Sequence, residues 1–501
     1  MATFESLAEP SYDKHSSDGN VETWSPALSR DGTLHEEHDD LDLHLPEIRR
    51  SRLATLHRAA MAVFVILPSP LMALVGNNYP STNTKDFGST TYLLGLRGMA
   101  SFFVFIEHFA MRSYSDLIRE YDQPTFLQLP GIRLIYSGPA WVKMFFILSG
   151  FALSVTPIEI MYERDWDRLF HTVASAFFRR GFRIFIPTIV AALFVMIGVR
   201  LRLYEVSNVF AASVGLGYPI RRHTLIEQFA DLVEYLLGII IYPWGWLKPL
   251  SNITRSVYSA TFWTIPREYW SSLQIFALTI ALSRLKPSAR IFTLVNMVLY
   301  AGWANRGDLS CFLVGMLFAE FHIRKKLFGA SQNNNIDMGG RSAAFKIIRS
   351  GLWTLVLVSG IWLASIPIAQ GDYGSSTPGY RTISKIIPLN DNVMSIGMAL
   401  MLLGIYKLPL LQAFFSSSLM CYLGDISFSL YLIHWPILAA GAWNMVPVMQ
   451  TVTRGQKEVG FLLALMITTP LMLWASDLFW RLVDLPSIRF AKRLEKQLIV
   501  S

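Results

Sequence analysis

Apolar runs of near membrane-crossing length, separated by short polar connections, fill the chain from residue 91 onward. A helix needs about 20 predominantly apolar residues to cross the hydrocarbon of a bilayer. On that scale the pattern predicts spans at 92–110, 138–157, 184–200, 262–283, 291–304, 309–321, 352–369, 393–406, 424–443 and 459–480. The predicted fold class is all-α: a polytopic membrane protein of about ten transmembrane helices. Residues 1–50 are rich in Ser, Asp, Glu, His and Asn and poor in aromatics, so they offer little apolar surface to offset ordering entropy. They read as a disordered tail. Residues 51–90 form a basic segment whose apolar part, 59–76, is broken by Pro68 and Pro70 and is short for a span, which favours an interfacial or re-entrant helix. The transmembrane domain then occupies 91–486, and 487–501 form a basic tail.

Composition supports this division. The chain is 52% hydrophobic and 16% charged, whereas soluble domains are about one quarter charged. The net charge of +8 implies no nucleic acid, because basic residues gather in the cytoplasmic connections of membrane proteins. Here Arg164, Arg168, Arg179, Arg180 and Arg183 follow the second predicted span, Arg284, Lys286 and Arg290 the fourth, Arg324, Lys325 and Lys326 the sixth, and Lys407 the eighth. That asymmetry predicts both termini in the cytoplasm. It places the 204–260 connection, with its aromatic patch Tyr242 to Trp246 and the sequon at Asn252, on the opposite side. No basic-then-apolar leader opens the chain, so no cleavable signal peptide is expected. Cys311 and Cys421 sit in apolar surroundings and suggest packing, with no disulfide framework and no metal spacing. His35, His38 and His44 in the acidic tail lack any fixed coordination geometry.

The candidate chemistry lies in ionisable residues inside apolar runs, where such groups cost a few kcal/mol each and mark function by default. Arg97 and His108 are eleven positions apart, close to three helical turns, so they share one face roughly 16 Å apart along the axis. Histidine titrates near neutrality and is the usual general base. Glu107 adjoins His108, but neighbouring helix residues point in different directions, so it is not expected to orient that ring. Arg180 and Arg183, at i and i+3, share a face at the start of the third span. Their guanidinium groups suit bidentate phosphate binding, although plain topological anchoring also explains arginines there. Pro266 fits the first turn of the fourth helix, which puts Glu268 near that helix's N-terminus. There it would steer an acceptor or hold Arg97 or His108. Tyr431 and His434 bring a phenol and a second imidazole into the ninth span, as lining or packing residues. Ser149 and Gly150 allow close helix approach, and no base stands beside Ser149 to make it a nucleophile. No Gly-rich phosphate loop is present.

Taken in order, these pieces resemble the acyltransferase 3 family of integral membrane acyltransferases, in particular its fungal branch. The resemblance is carried by Leu96-Arg97-Gly98 with His108 eleven residues after the arginine, Phe145 to Phe151 around Ser149-Gly150, Arg180-Gly-Phe-Arg183, Trp263-Thr-Ile-Pro266-Arg267-Glu268, and Phe428 to Pro436 around Tyr431 and His434. Each piece alone is weak; five in the right order are strong. The resemblance implies a ten-helix core that moves an acyl group, usually acetyl, from cytoplasmic acyl-CoA to a hydroxyl of a carbohydrate, lipid or small metabolite. It implies His108 as catalytic base supported by Arg97, Arg180 and Arg183 as contacts to the coenzyme phosphates, and Glu268 less directly. No permanently bound cofactor and no metal is expected, and the expected partners are acyl-CoA, a hydroxyl-bearing acceptor and the lipid bilayer. Arg267 departs from the apolar residue common in that block. The family's occasional fused hydrolase domain has no counterpart after Asp484-Leu-Pro486. A proton-coupled transporter using Arg97, His108 and Glu268 as a relay is the alternative reading of the same residues.

Overall fold

A computed structural model describes residues 67–69, 90–114, 125–204, 219–241, 258–333, 343–367, 377–385 and 391–498. The acidic tail with its three histidines, most of the 51–90 segment, the Tyr242 to Trp246 patch and the Asn252 sequon lie outside these residues. No strand occurs among the described residues. The helices are α1 (Thr91–Met111), α2 (Gly138–Glu163), α3 (Trp166–Arg200), α4 (Leu225–Tyr235), α5 (Thr264–Ala281), α6 (Pro287–Trp303), α7 (Gly307–Asn333) and α8 (Ala343–Ala364). After these come α9 (Asp391–Lys407), α10 (Pro409–Phe415), α11 (Ser418–Asp425), α12 (Ser427–Ala440), α13 (Met445–Val452), α14 (Lys457–Phe479) and α15 (Leu485–Leu498).

Among the described residues each of the ten predicted spans lies largely on helix. Five helices among the described residues are long and apolar enough to cross a bilayer, or seven when each of two sharply bent pairs counts as one span. One bent pair is α9–α10, at 100°, and the other is α11–α12, at 66°. The predicted ninth span is therefore not a straight rod: it breaks at Ile426, between Asp425 and Ser427. The third span also differs from expectation. It begins not near residue 184 but at Trp166, capped by the Asp165 side chain accepting from the Arg168 N–H. Its 35 residues extend roughly 52 Å at 1.5 Å per residue, well beyond the ~30 Å hydrocarbon layer. Arg179, Arg180 and Arg183 are thus mid-helix residues rather than loop residues.

Helix α1 holds the centre because its two faces serve two cores. Tyr92, Leu96, Ala100 and Val104, at i+4 spacing, pack into a cluster with α2, α5, α6, α7 and α9. Phe105 and Phe109 belong to a second cluster built with α3, α4, α12 and α14. Apolar side chains also point outward: Ile347, Ile348, Leu352, Leu355 and Val358 on α8, and Leu462, Met466 and Leu471 on α14, are exposed. Such outward apolar faces are what a lipid environment requires.

Two close helix approaches depend on missing side chains. A Cβ on Gly98 would stand 2.4 Å from the Gly424 nitrogen, so α1 meets α11 backbone to backbone. A Cβ on Gly150 would stand 2.1 Å from the Phe312 carbonyl oxygen, which locks α2 against α7 as the Ser149-Gly150 pair suggested. Elsewhere, Leu67 and Ser69 are tied to α14 and the turn that follows it: the Ser69 N–H donates to Asp477 Oδ2 (3.1 Å) and Arg481 Nη2 to the Leu67 carbonyl (2.7 Å). The C-terminal basic segment is helical, and Glu495 on α15 pairs with Arg179 on α3 at 3.2 Å.

Candidate active site

Helix α1 presents Arg97 and His108 on one side, and both reach the same broken element. Arg97 Nε donates to Ser427 Oγ (2.8 Å) and Nη2 to the Gly424 carbonyl (3.1 Å). Ser427 Oγ donates to that same carbonyl at 2.7 Å. The bend between α11 and α12 removes this carbonyl from a regular helical ladder, and an unsatisfied one inside a membrane costs several kcal/mol. Arg97 therefore clamps the break. It does not touch His108.

Three turns further along α1, His108 Nδ1 lies 2.8 Å from His434 Nε2 on α12. His434 Nδ1 lies in turn 2.8 Å from the Leu430 carbonyl oxygen. The two imidazoles are nearly coplanar, with planes 11° apart, and the edge of Trp435 meets the His108 ring at 5.0 Å between centroids. Trp443 Nε1 donates to the His108 backbone carbonyl at 3.0 Å. His434 is fully buried, while the His108 side chain retains 16% exposure. His434, expected only to line or pack, is the hydrogen-bond partner of the candidate base.

Glu107 Oε2 comes within 3.7 Å of His108 Nε2, near it but beyond hydrogen-bond distance. The carboxyl fits against the start of α2, where the Gly138 N–H donates to it and a Cβ on Gly138 would fall 1.8 Å from Oε2. A helix N-terminus favours a carboxylate.

Glu268 turns away from both Arg97 and His108. Its Oε1 accepts from Arg180 Nη2 (2.9 Å) and from Ser149 Oγ (3.2 Å), and Arg180 Nε donates to Ser272 Oγ (2.9 Å). Arg180 is consequently engaged within the bundle, where its side chain is 11% exposed. Arg183, one turn on, is exposed and forms no hydrogen bond or ion pair among the described residues. The charges of Arg97, Arg180 and Arg183 act on one another, and Glu268, Asp425 and Asp484 lie close enough to oppose them. Asp484, buried in the π-helical turn 480–484, was not singled out from the sequence. Its only signal was a carboxylate two residues before a proline at the end of an apolar run.

Tyr431 is pinned rather than free: Thr264 Oγ1 donates to its hydroxyl (2.9 Å), which donates to the Thr261 carbonyl (3.2 Å). Its ring stands edge-on to His434 at 5.9 Å. Among the described residues no group of three His, Cys, Asp or Glu is placed to hold a metal ion. Cys311 and Cys421 are both free and buried.

The acyltransferase 3 family model, described as an acyltransferase domain, matches residues 90–481. Among curated proteins the chain is 26% identical to O-acetyltransferase PaAT-1 of Phomopsis amygdali, over 84% of this chain and 87% of that protein. It is 22% identical to acyltransferase R4 of Phoma sp., over 81% of this chain and 96% of that protein. It is 23% identical to acyltransferase clz18 of Cochliobolus lunatus, over 71% of this chain and 84% of that protein. No solved structure gives a significant match.

Proposed function

The chain belongs to the acyltransferase 3 family, and from that premise we propose that it is a membrane O-acyltransferase taking an acyl group, acetyl in the first instance, from cytoplasmic acyl-CoA. The acceptor is a hydroxyl on a carbohydrate, lipid or small metabolite. The observation that carries this reading is His108 itself: an imidazole in the matched domain, held by a second imidazole at 2.8 Å and still partly open. The printed name of one relative, an O-acetyltransferase, supports acetyl as the group moved.

In this reading His108 takes the proton of the acceptor hydroxyl as its oxygen bonds to the thioester carbonyl carbon. The carbon–sulfur bond then breaks, the imidazolium returns the proton to the leaving sulfur, and the products are an ester and free coenzyme A. Arg183, exposed and unpaired among the described residues, contacts the coenzyme phosphates, and Arg180 stands behind it, oriented by Glu268. Arg97 supports the site by holding the α11–α12 break. About ten spans with both termini in the cytoplasm put the arginines on the coenzyme side. The transporter alternative gains nothing from the geometry, since Glu268 bonds to Arg180 and Ser149 and not to His108.

Membranes carrying the protein, supplied with acetyl-CoA and an extract of polar and lipid metabolites, are expected to release free thiol and to yield a metabolite heavier by one acetyl group. His108→Ala is expected to abolish both signals while inserting normally. Near-normal thiol release in that variant would remove the base, and unmodified substrate crossing the membrane would replace the enzyme with a transporter.

A further inference from the structure

The chain of contacts from Leu430 through His434 to His108 fixes where the protons sit. A carbonyl oxygen only accepts, so the Leu430 oxygen at 2.8 Å requires a hydrogen on His434 Nδ1. With both rings neutral, each imidazole carries one N–H and one lone pair. His434 Nε2 is therefore an acceptor, and the 2.8 Å contact to His108 Nδ1 requires the hydrogen on His108 Nδ1. What is left on His108 is the lone pair of Nε2. That nitrogen points toward Glu107 Oε2, 3.7 Å away, on the far side of the ring from His434.

We propose that His434 is a positioning residue, which fixes His108 in its Nδ1–H tautomer and so makes Nε2 the base nitrogen. The inference rests on the reading of His108 as general base and extends it by naming the nitrogen and what selects it. The partner that orients a catalytic histidine is commonly a carboxylate or a backbone carbonyl. Here the carbonyl acts through an intervening imidazole. The arrangement suits a membrane interior, because the orienting group is neutral and needs no second charge in hydrocarbon. When Nε2 takes the acceptor proton, both His108 nitrogens become donors. Nδ1–H keeps its bond to His434, and Nε2–H faces the Glu107 carboxyl. No group has to turn over during the step. The neighbours hold the His434 ring in register: the ring edge of Tyr431 at 5.9 Å and the Leu430 carbonyl one turn back on the same helix.

The test compares three full-length variants in liposomes, reading kcat and KM for acetyl-CoA from thiol release with the same metabolite extract. His434→Leu keeps the volume roughly and deletes the acceptor; kcat is expected to fall on the order of 10²–10⁴-fold, the range of general base catalysis, with KM unchanged. His434→Gln keeps an acceptor oxygen in reach and is expected to stay within about tenfold of the parent, the factor that separates a kept from a lost hydrogen bond of about 1.4 kcal/mol. His108→Gln is expected to be inactive. A merely structural His434 would lower the yield of folded protein in both variants and leave kcat of the folded fraction alone. Parent-like kcat in His434→Leu with an inactive His108→Gln would overturn the positioning role and leave the base standing. An active His108→Gln would overturn both. Nitrogen-15 spectra of the histidine-labelled parent protein, with His108 assigned by its loss in His108→Gln, read the tautomer without relying on the folding of a His434 variant. Protonated Nδ1 and bare Nε2 are expected, and a hydrogen on His108 Nε2 at neutral pH would sink the proposal.

Discussion

Two of the arginine–glutamate pairs among the described residues, Arg290–Glu320 and Arg180–Glu268, are built differently. Arg290 on α6 and Glu320 on α7 form a closed, two-pronged pair: Nε to Oε2 and Nη2 to Oε1, both at 2.9 Å. Their side chains are 3% and 0% exposed, and Tyr162 of α2 adds a 2.6 Å hydrogen bond to Glu320 Oε1. Both carboxylate oxygens face a donor, and burial closes the pair to a ligand. Arg180 and Glu268 share one contact instead, at 2.9 Å, with 11% and 22% exposure. A serine from each side completes them, and the exposed Arg183 stands one turn away. The same two residue types thus act as a rivet in one place and as one wall of a site in the other. Saturation and access distinguish them.

The largest effect is expected from opening the rivet. Removing one partner of a buried pair strands the other charge and costs about 3–5 kcal/mol, so Glu320→Ala should lose most monodisperse protein on extraction into detergent. Replacing both partners, Arg290→Met with Glu320→Leu, should recover it, because apolar residues of similar volume are tolerated at such places. Failure of the double variant to recover would mean that Arg290 or Glu320 does more than join helices. At the open pair, Glu268→Gln should leave the protein folded and raise KM for acetyl-CoA by about tenfold, the worth of one charge-assisted hydrogen bond. A collapse of folded yield there would make the second pair a rivet too. The smallest effect belongs to Arg183→Ala: a severalfold rise in KM for acetyl-CoA with kcat unaltered, as deletion of a ground-state contact requires. Unchanged donor dependence would reduce Arg183 to topological anchoring.

The sequence showed which residues were expensive and left their partners hidden. Arg97 and His108 stood out because charge in an apolar run needs a reason, and both do turn inward onto one element. Their partners, Ser427 and His434, lie 330 and 326 residues away in the chain, and no local pattern carries such pairing. The same limit hid the partner of Glu268, whose helix-start position was legible and whose bond to Arg180 was not. The break at Ile426 was invisible because 424–443 reads as one predominantly apolar run, and hydropathy does not register a bend whose loose carbonyl is met by a residue of another helix. The early start of α3 was missed for the opposite reason. A run of arginines looked like a boundary, although arginine is a good helix former and the helix continues through it.

The seclusion of both native thiols has a practical consequence. Cys311 and Cys421 sit at 0% and 7% exposure, out of reach of bulky water-soluble reagents, so the wild-type chain is already a silent background for site-directed labelling. A single sulfhydryl introduced at the exposed Asn305 or Gly455 turn, compared with one at the Arg164 turn, would then test whether those turns face opposite sides of the bilayer without any prior cysteine replacement.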